Sequence, residues 1–188
     1  MLIDNLSLAG WLHGVAALTG LLSGALVLAS AKGTMRHRRL GCIYVGAMLV
    51  TNLSAFAVYH FDIDRFRPFT AGPGTFGLFH WEAVTTLGFL ALALYAAPRQ
   101  RRAPWAYVHP LAMVTTYYLL VGGFVNQLFL RVAPLRAISQ MHGRSGFSRV
   151  PLVGQAQTAV MLVYVILLVY FIAKIAILRR GQRATATV

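Results

Sequence analysis

A chain of 188 residues has room for one domain, but 58% hydrophobic and only 11% charged residues exclude an ordinary water-soluble globule, in which about a quarter of positions are charged. The net charge of +13 does not describe a nucleic-acid surface either. Its Lys and Arg lie between or after apolar runs, and no basic stripe alternates with exposed aromatics.

An all-α, polytopic transmembrane bundle is expected over the whole chain, because runs of about 20 apolar residues, enough to cross a hydrocarbon core of about 30 Å, recur along it. The first span runs from about Leu8 to Ser30. The segment before it, MLIDNLSLAG, has an acid and no base, which is not the start of a cleaved signal peptide. Two glycine pairs at a spacing of four, Gly10 with Gly14 and Gly20 with Gly24, offer close backbone approach to a neighbour. The second span is about Leu40 to Tyr59 and holds the single cysteine, Cys42, which reads as a small buried apolar residue. A loop carrying FDIDRFRPF and AGPG leads to a third span, about Gly77 to Ala97. The fourth, about Trp105 to Phe129, is polar for its setting, with Thr115, Thr116, Tyr117, Tyr118, Asn126 and Gln127. An interfacial amphipathic segment is expected at about 131–142, where Val132, Leu135, Ile138 and Met141 recur every three residues. The fifth span, about Ala156 to Leu178, is so uniformly aliphatic and aromatic that it belongs on the periphery, with spans one to four inside.

Positive charge orients the bundle. Lys32, Arg36, Arg38, Arg39, Arg99, Arg101, Arg102, Arg179, Arg180 and Arg183 fall on one side. Arg65, Arg67, Arg131, Arg136, Arg144 and Arg149, with Asp4, Asp62 and Asp64, fall on the other. The first side is read as cytoplasmic, so the expectation is a bacterial inner-membrane protein with its N-terminus outside and C-terminus inside. Trp11, Trp81 and Trp105 near span ends suit the headgroup layer.

Ionisable groups within the spans are costly and therefore candidate functional residues. His13 and His80 fall in an outer layer, His37 and His109 in an inner one, and each pair comes from two helices. One chemistry that wants this arrangement is bis-imidazole ligation of haem b, a haem per leaflet, for transmembrane electron transfer. The alternative is a proton- or metal-coupled transporter or channel whose pathway is lined by these histidines with Glu82, Asn52, Asn126 and Gln127. Glu82 shares a helix face with Thr85 and Thr86, and its structural role would be to pair with Arg65, Arg67 or a loop backbone group. A zinc site from His13, His60, His80 and Glu82 is disfavoured, since positions 80 and 82 diverge by about 200° on a helix. A third possibility is an accessory subunit of a larger membrane complex, docked through span five. Besides the lipid bilayer, a membrane-protein partner or a second copy of the chain is the expected kind of partner. Nucleophile-elbow, P-loop, dinucleotide and zinc-protease motifs are absent from the sequence.

The strings LHGVAALTGLLSGALVL (Leu12 to Leu28) and KGTMRHRRLGCIYVGAML (Lys32 to Leu49), followed by FGLFHWEAVTTLGFLAL (Phe76 to Leu92) and HPLAMVTTYYLL (His109 to Leu120), carry a family resemblance. The chain resembles the bacterial membrane proteins of domain of unknown function 2306 over about Leu12 to Phe129, HRxxG at His37 to Gly41 being the most specific piece. The resemblance implies a helical bundle in which His13, His37, His80 and His109 are the motif histidines, and it brings no established activity.

Overall fold

The computed structural model describes residues 7–58, 77–100, 104–132, 134–135 and 151–185. Five helices are long and apolar enough to cross a membrane. They are α1 (Leu8–Ala29), α2 (Met35–Val58), α3 (Leu78–Ala96), α4 (Trp105–Arg131) and α5 (Pro151–Thr185), with a 3-10 turn at Ala97–Arg99. Most of the expected amphipathic segment after α4 falls outside the described residues. The helix of 35 residues is about 50 Å long at 1.5 Å per residue, so α5 overruns a hydrocarbon core at one or both ends.

Among the described residues α1 packs on α2, α2 on α3 and α3 on α4, with a lighter α1–α4 contact closing the ring, while α5 packs chiefly on α4. The bundle is inside out compared with a soluble one. Leu12, Val15, Leu18, Leu22 and Leu26 of α1 are exposed, as are most large side chains of α5, whereas Ser23, Thr51, Asn52, His80, Thr86 and Thr116 are buried. Lipid is as apolar as Leu, so aliphatic side chains gain nothing by turning inward; small residues and hydrogen-bonding groups mark the contacts instead. Span five is peripheral, as its composition indicates. Cys42, expected to be buried, is exposed on the outer surface of α2.

Sequence chemistry fixes the ends. Ser7 caps α1 by accepting the Gly10 N–H at 3.1 Å. At the far end Ser30 Oγ and Lys32 Nζ both donate to the Val27 carbonyl, at 2.9 and 3.2 Å. Gly33 then turns the chain with φ +81, a left-handed conformation that disfavours a side chain. Thr34 starts α2 by accepting the His37 N–H at 3.2 Å. Helix α2 therefore begins five residues before the span expected from hydropathy, because a capped basic turn is helical without being apolar. Pro110 sits in the second turn of α4, where its missing N–H removes the bond to the Ala106 carbonyl.

The two ends of the bundle differ. Toward the end where α1 meets α2, hereafter the basic end, Val27, Tyr44, Met48, Leu90 and Leu120 form a packed core. Gly20 and Gly24 make it possible: a methyl on Gly24 would meet Tyr117 ring carbons at 2.5 Å and Tyr44 at 2.9 Å, and one on Gly20 would meet Leu120 at 3.1 Å. Cations lie over aromatic rings here, Arg99 on Tyr95 at 3.8 Å, Arg179 on Tyr107 at 5.6 Å and Lys32 on Phe171 at 5.3 Å, the girdle expected of a headgroup layer. The opposite end is hollow.

Candidate functional site

Helix α4 is the hub of the polar contacts. Thr116 Oγ1 pairs with Tyr44 Oη of α2 at 2.9 Å, Tyr117 Oη donates to the Leu21 carbonyl of α1 at 3.2 Å, and Thr115 Oγ1 pairs with Tyr164 Oη of α5 at 3.0 Å. Gln157 of α5 donates to Asn126 Oδ1 at 2.6 Å and to the Gly122 carbonyl at 3.2 Å. These bonds explain why span four carries so many polar residues: it is the one helix that meets α1, α3 and α5 and reaches across to α2. They also place Asn126 against α5, away from the other residues assigned to the pathway.

Between α1, α2, α3 and α4, in the half away from the basic end, lies a cavity of about 230 Å³. Met48 and Leu120 form part of its wall and belong also to the packed core, so the space ends blind at the layer tied by Tyr44 and Thr116. Its other apolar walls come from residues such as Ala17, Ala55, Phe79 and Leu119. Each helix also contributes a polar group: His13 from α1, Thr51 and Asn52 from α2, Glu82 and Thr86 from α3, and Gln127 from α4. Of the residues named for a pathway from the sequence, His13, Asn52, Glu82 and Gln127 line this one space. The sequence reading missed Thr51, and it coupled Glu82 to the wrong threonine in part: Thr86, one turn on, shares the cavity, while Thr85 is exposed.

Gly123 of α4 seats the carboxyl. A Cβ at that position would stand 2.8 Å from Glu82 Oε1 and 3.4 Å from Cδ, so the missing side chain is the space the acid occupies. Among the described residues no hydrogen bond or ion pair holds that carboxyl. Arg65 and Arg67, its expected structural partners, lie outside the described residues, as does His60. Asn52 instead spends an amide proton on its own helix, donating to the Met48 carbonyl at 2.7 Å.

The two histidines of the outer layer take separate partners on α2. His13 Nδ1 pairs with Ser54 Oγ of α2 at 3.0 Å, whereas His80 packs on Phe56 of α2 with ring centroids 5.6 Å apart. Positions 54 and 56 diverge by about 200° around a helix, so the two imidazoles meet α2 on different flanks, either side of buried Ala55. His80 is 1% exposed and closes the first turn of α3: its N–H donates to the Gly77 carbonyl at 3.1 Å, and the Gly77 N–H donates to its Nδ1 at 3.2 Å. A neutral ring that accepts at Nδ1 carries its proton on Nε2, a tautomer assigned from this bond. At the basic end His37 Nδ1 pairs with Ser30 Oγ at 3.1 Å and His109 Nδ1 with the Ala93 carbonyl of α3 at 2.9 Å. Among the described residues no group of three or more His, Cys, Asp or Glu could hold a metal ion.

What the fold and site define at this level is a multi-pass membrane protein with a hollow helical bundle. Comparison with protein-family models, with curated proteins and with solved structures found no match to this chain.

Proposed function

We propose that this protein is a small membrane carrier whose substrate site is the cavity among α1 to α4, with Glu82 as its proton-exchanging group. The observation that supports this reading is the convergence of His13, Asn52, Glu82 and Gln127, one from each of the four helices, on a single space whose remaining walls are mostly apolar. Polar groups placed within a membrane cost free energy, so a cavity that gathers them from every wall points to a ligand. The packed layer below the cavity suits a carrier, which holds its substrate at a closed floor, better than an open channel. In this reading Glu82 takes or gives the proton, His13 and Gln127 orient the ligand, and Gly123 keeps room for the carboxyl to move. The N-terminus faces outward and the basic end faces the cytoplasm of a bacterial inner membrane. Membership in the family of domain of unknown function 2306, on the HRxxG turn, is part of the same proposal. The test is dissipation of an imposed pH gradient in proteoliposomes. Wild type should exceed protein-free vesicles and Glu82→Gln should fall to their rate; equal rates for the two proteins would refute the role given to the acid.

Haem b ligation is the second reading of the same imidazoles. What favours it is the hydrogen bonding of His37 and His109 through Nδ1, the arrangement that orients a ligating ring. Room and protonation weigh against it. The bundle is filled at the basic end, the cavity of about 230 Å³ is below the roughly 300–1,000 Å³ of ordinary ligand pockets, and His80 uses its Nδ1 lone pair on Gly77. A Soret band in protein made with ample haem, lost in His37→Ala or His109→Ala, would restore this reading; colourless protein would end it.

A further inference from the structure

The walls of the cavity are not equally closed. Helices α1 and α4 meet near the basic end, where Tyr117 reaches the Leu21 carbonyl and Leu120 packs on Gly20. Beyond that contact α1 lines the cavity with Ala17 and Gly14, which are too small to bridge the gap, and among the described residues no atom lies within 4 Å of a Cβ built on Gly14. Three residues line the cavity and are at the same time exposed on the lipid-facing surface: Gly14 of α1, Leu18 of α1 at 53% and Phe124 of α4 at 39%. On α1, Leu18 and His13 diverge by about 140°; His13 reaches α2, and Leu18 turns toward α4. On α4, Phe124 lies about 40° from Leu120, the residue that touches α1. Leu18 and Phe124 are thus the two jambs of one opening, and it faces the hydrocarbon.

We propose that the cavity takes an uncharged, one-ring amphiphile bearing a hydroxyl group directly from the hydrocarbon layer, through the gap between α1 and α4. The proposal rests on reading the cavity as a substrate site and names the substrate class. Size comes first: an apolar protein cavity of about 150 Å³ accepts benzene, so about 230 Å³ accommodates a ring with small substituents. Polarity comes second. Most of the lining is aliphatic or aromatic, so a solute polar all round would leave its groups unpaired against Ala17, Leu119 and Leu120, whereas a single hydroxyl is met by the Glu82 carboxyl and the Gln127 amide. The direction of approach comes third. A compound of that kind concentrates in the bilayer, and the opening is where the bilayer is.

The experiment uses the full chain in nanodiscs, with 4-(trifluoromethyl)phenol as probe and (trifluoromethyl)benzene as its headless control, followed by fluorine NMR. Saturable broadening of the phenol is expected, with affinity about tenfold lower for the headless ring, the worth of one charge-assisted hydrogen bond. Gly14→Leu and Leu18→Trp, which fill the gap, should slow exchange about tenfold, whereas Leu22→Trp, on the lipid face of the same helix, should leave it as in wild type. Broadening no greater than in protein-free nanodiscs overturns the proposal. So does unchanged exchange in Leu18→Trp, whose added bulk sits at the half-exposed lipid edge of the gap and does not depend on tight packing to fold. Loss of proton flux in Glu82→Gln without saturable phenol binding would sink this substrate class and leave the carrier standing. Saturable binding with undiminished Glu82→Gln flux would do the reverse.

Discussion

Alanine at position 24 adds one methyl group at the tightest helix contact in the bundle. The new carbon would stand 2.5 Å from two ring carbons of Tyr117 and 2.9 Å from Tyr44. Neither ring can simply swing aside. Tyr117 is tied to the Leu21 carbonyl at 3.2 Å, Tyr44 to Thr116 at 2.9 Å, and the two rings lean on each other with centroids 6.3 Å apart. Overpacking of this kind costs about 1 to 3 kcal/mol, and displacing Tyr117 forfeits an interhelical hydrogen bond of about 0.6 kcal/mol. Alanine returns about 1 kcal/mol in helix propensity, which leaves a net loss of about 0.6 to 2.6 kcal/mol. Gly46→Ala is the control: it is exposed on α2 with no atom within 4 Å of its Cβ position, so it keeps the propensity gain alone. The two variants should differ by about 1.6 to 3.6 kcal/mol, a factor of roughly 15 to 450 in the unfolding constant. Reversible unfolding of each by SDS in mixed micelles measures it. A Gly24→Ala protein as stable as Gly46→Ala would refute the claim that this glycine holds α1 against the tyrosine layer.

The Tyr44–Thr116 bond is testable by a double-mutant cycle with Tyr44→Phe and Thr116→Val, and a coupling of about 0.6 kcal/mol, no more than about 1.7, is expected from bonds between membrane helices. Removing the Gln157 amide as Gln157→Leu should loosen the end of α5 that Asn126 and Gly122 hold, seen as faster amide exchange in α5 with α1 to α3 unchanged. Gly123→Ala should displace the Glu82 carboxyl into the cavity and weaken phenol binding while costing little stability, since the atom that must move is the far end of a flexible side chain; equal binding to wild type would show that the acid does not depend on that glycine. Burial, and secondarily the charge of Lys174, hold the Lys32 ammonium below its ordinary 10.5. A lysine whose value is depressed on folding penalises the folded state while charged, so stability should rise with pH from the depressed value up to 10.5. That rise should be smaller in Lys32→Met, by SDS unfolding across the alkaline range; identical slopes would remove the assignment.

The sequence by itself determined the number and order of the spans and the lipid-facing place of the fifth, because hydropathy is a property of consecutive residues and the bilayer thickness is a fixed ruler. It also marked Glu82, Asn52 and Gln127, since a polar side chain within an apolar run is visible without knowing its neighbours. Only the tertiary structure decided which of these residues meet. Asn126 and Gln127 are adjacent in the chain, yet a rotation of about 100° per residue sends one to α5 and the other to the cavity. His13 and His80 share a layer by depth, yet they meet different flanks of α2, because depth follows from counting residues and azimuth follows from which helix packs against which. His80 carried a local sign of its true place, a glycine three positions before it at the start of a helix, where a side chain can reach back and cap. The cavity itself has no sequence signature. It exists because small residues on α1 and Gly123 on α4 leave room at one end of the bundle while Tyr44, Tyr117 and Leu120 fill the other, and that arrangement belongs to the packing of helices rather than to any one of them.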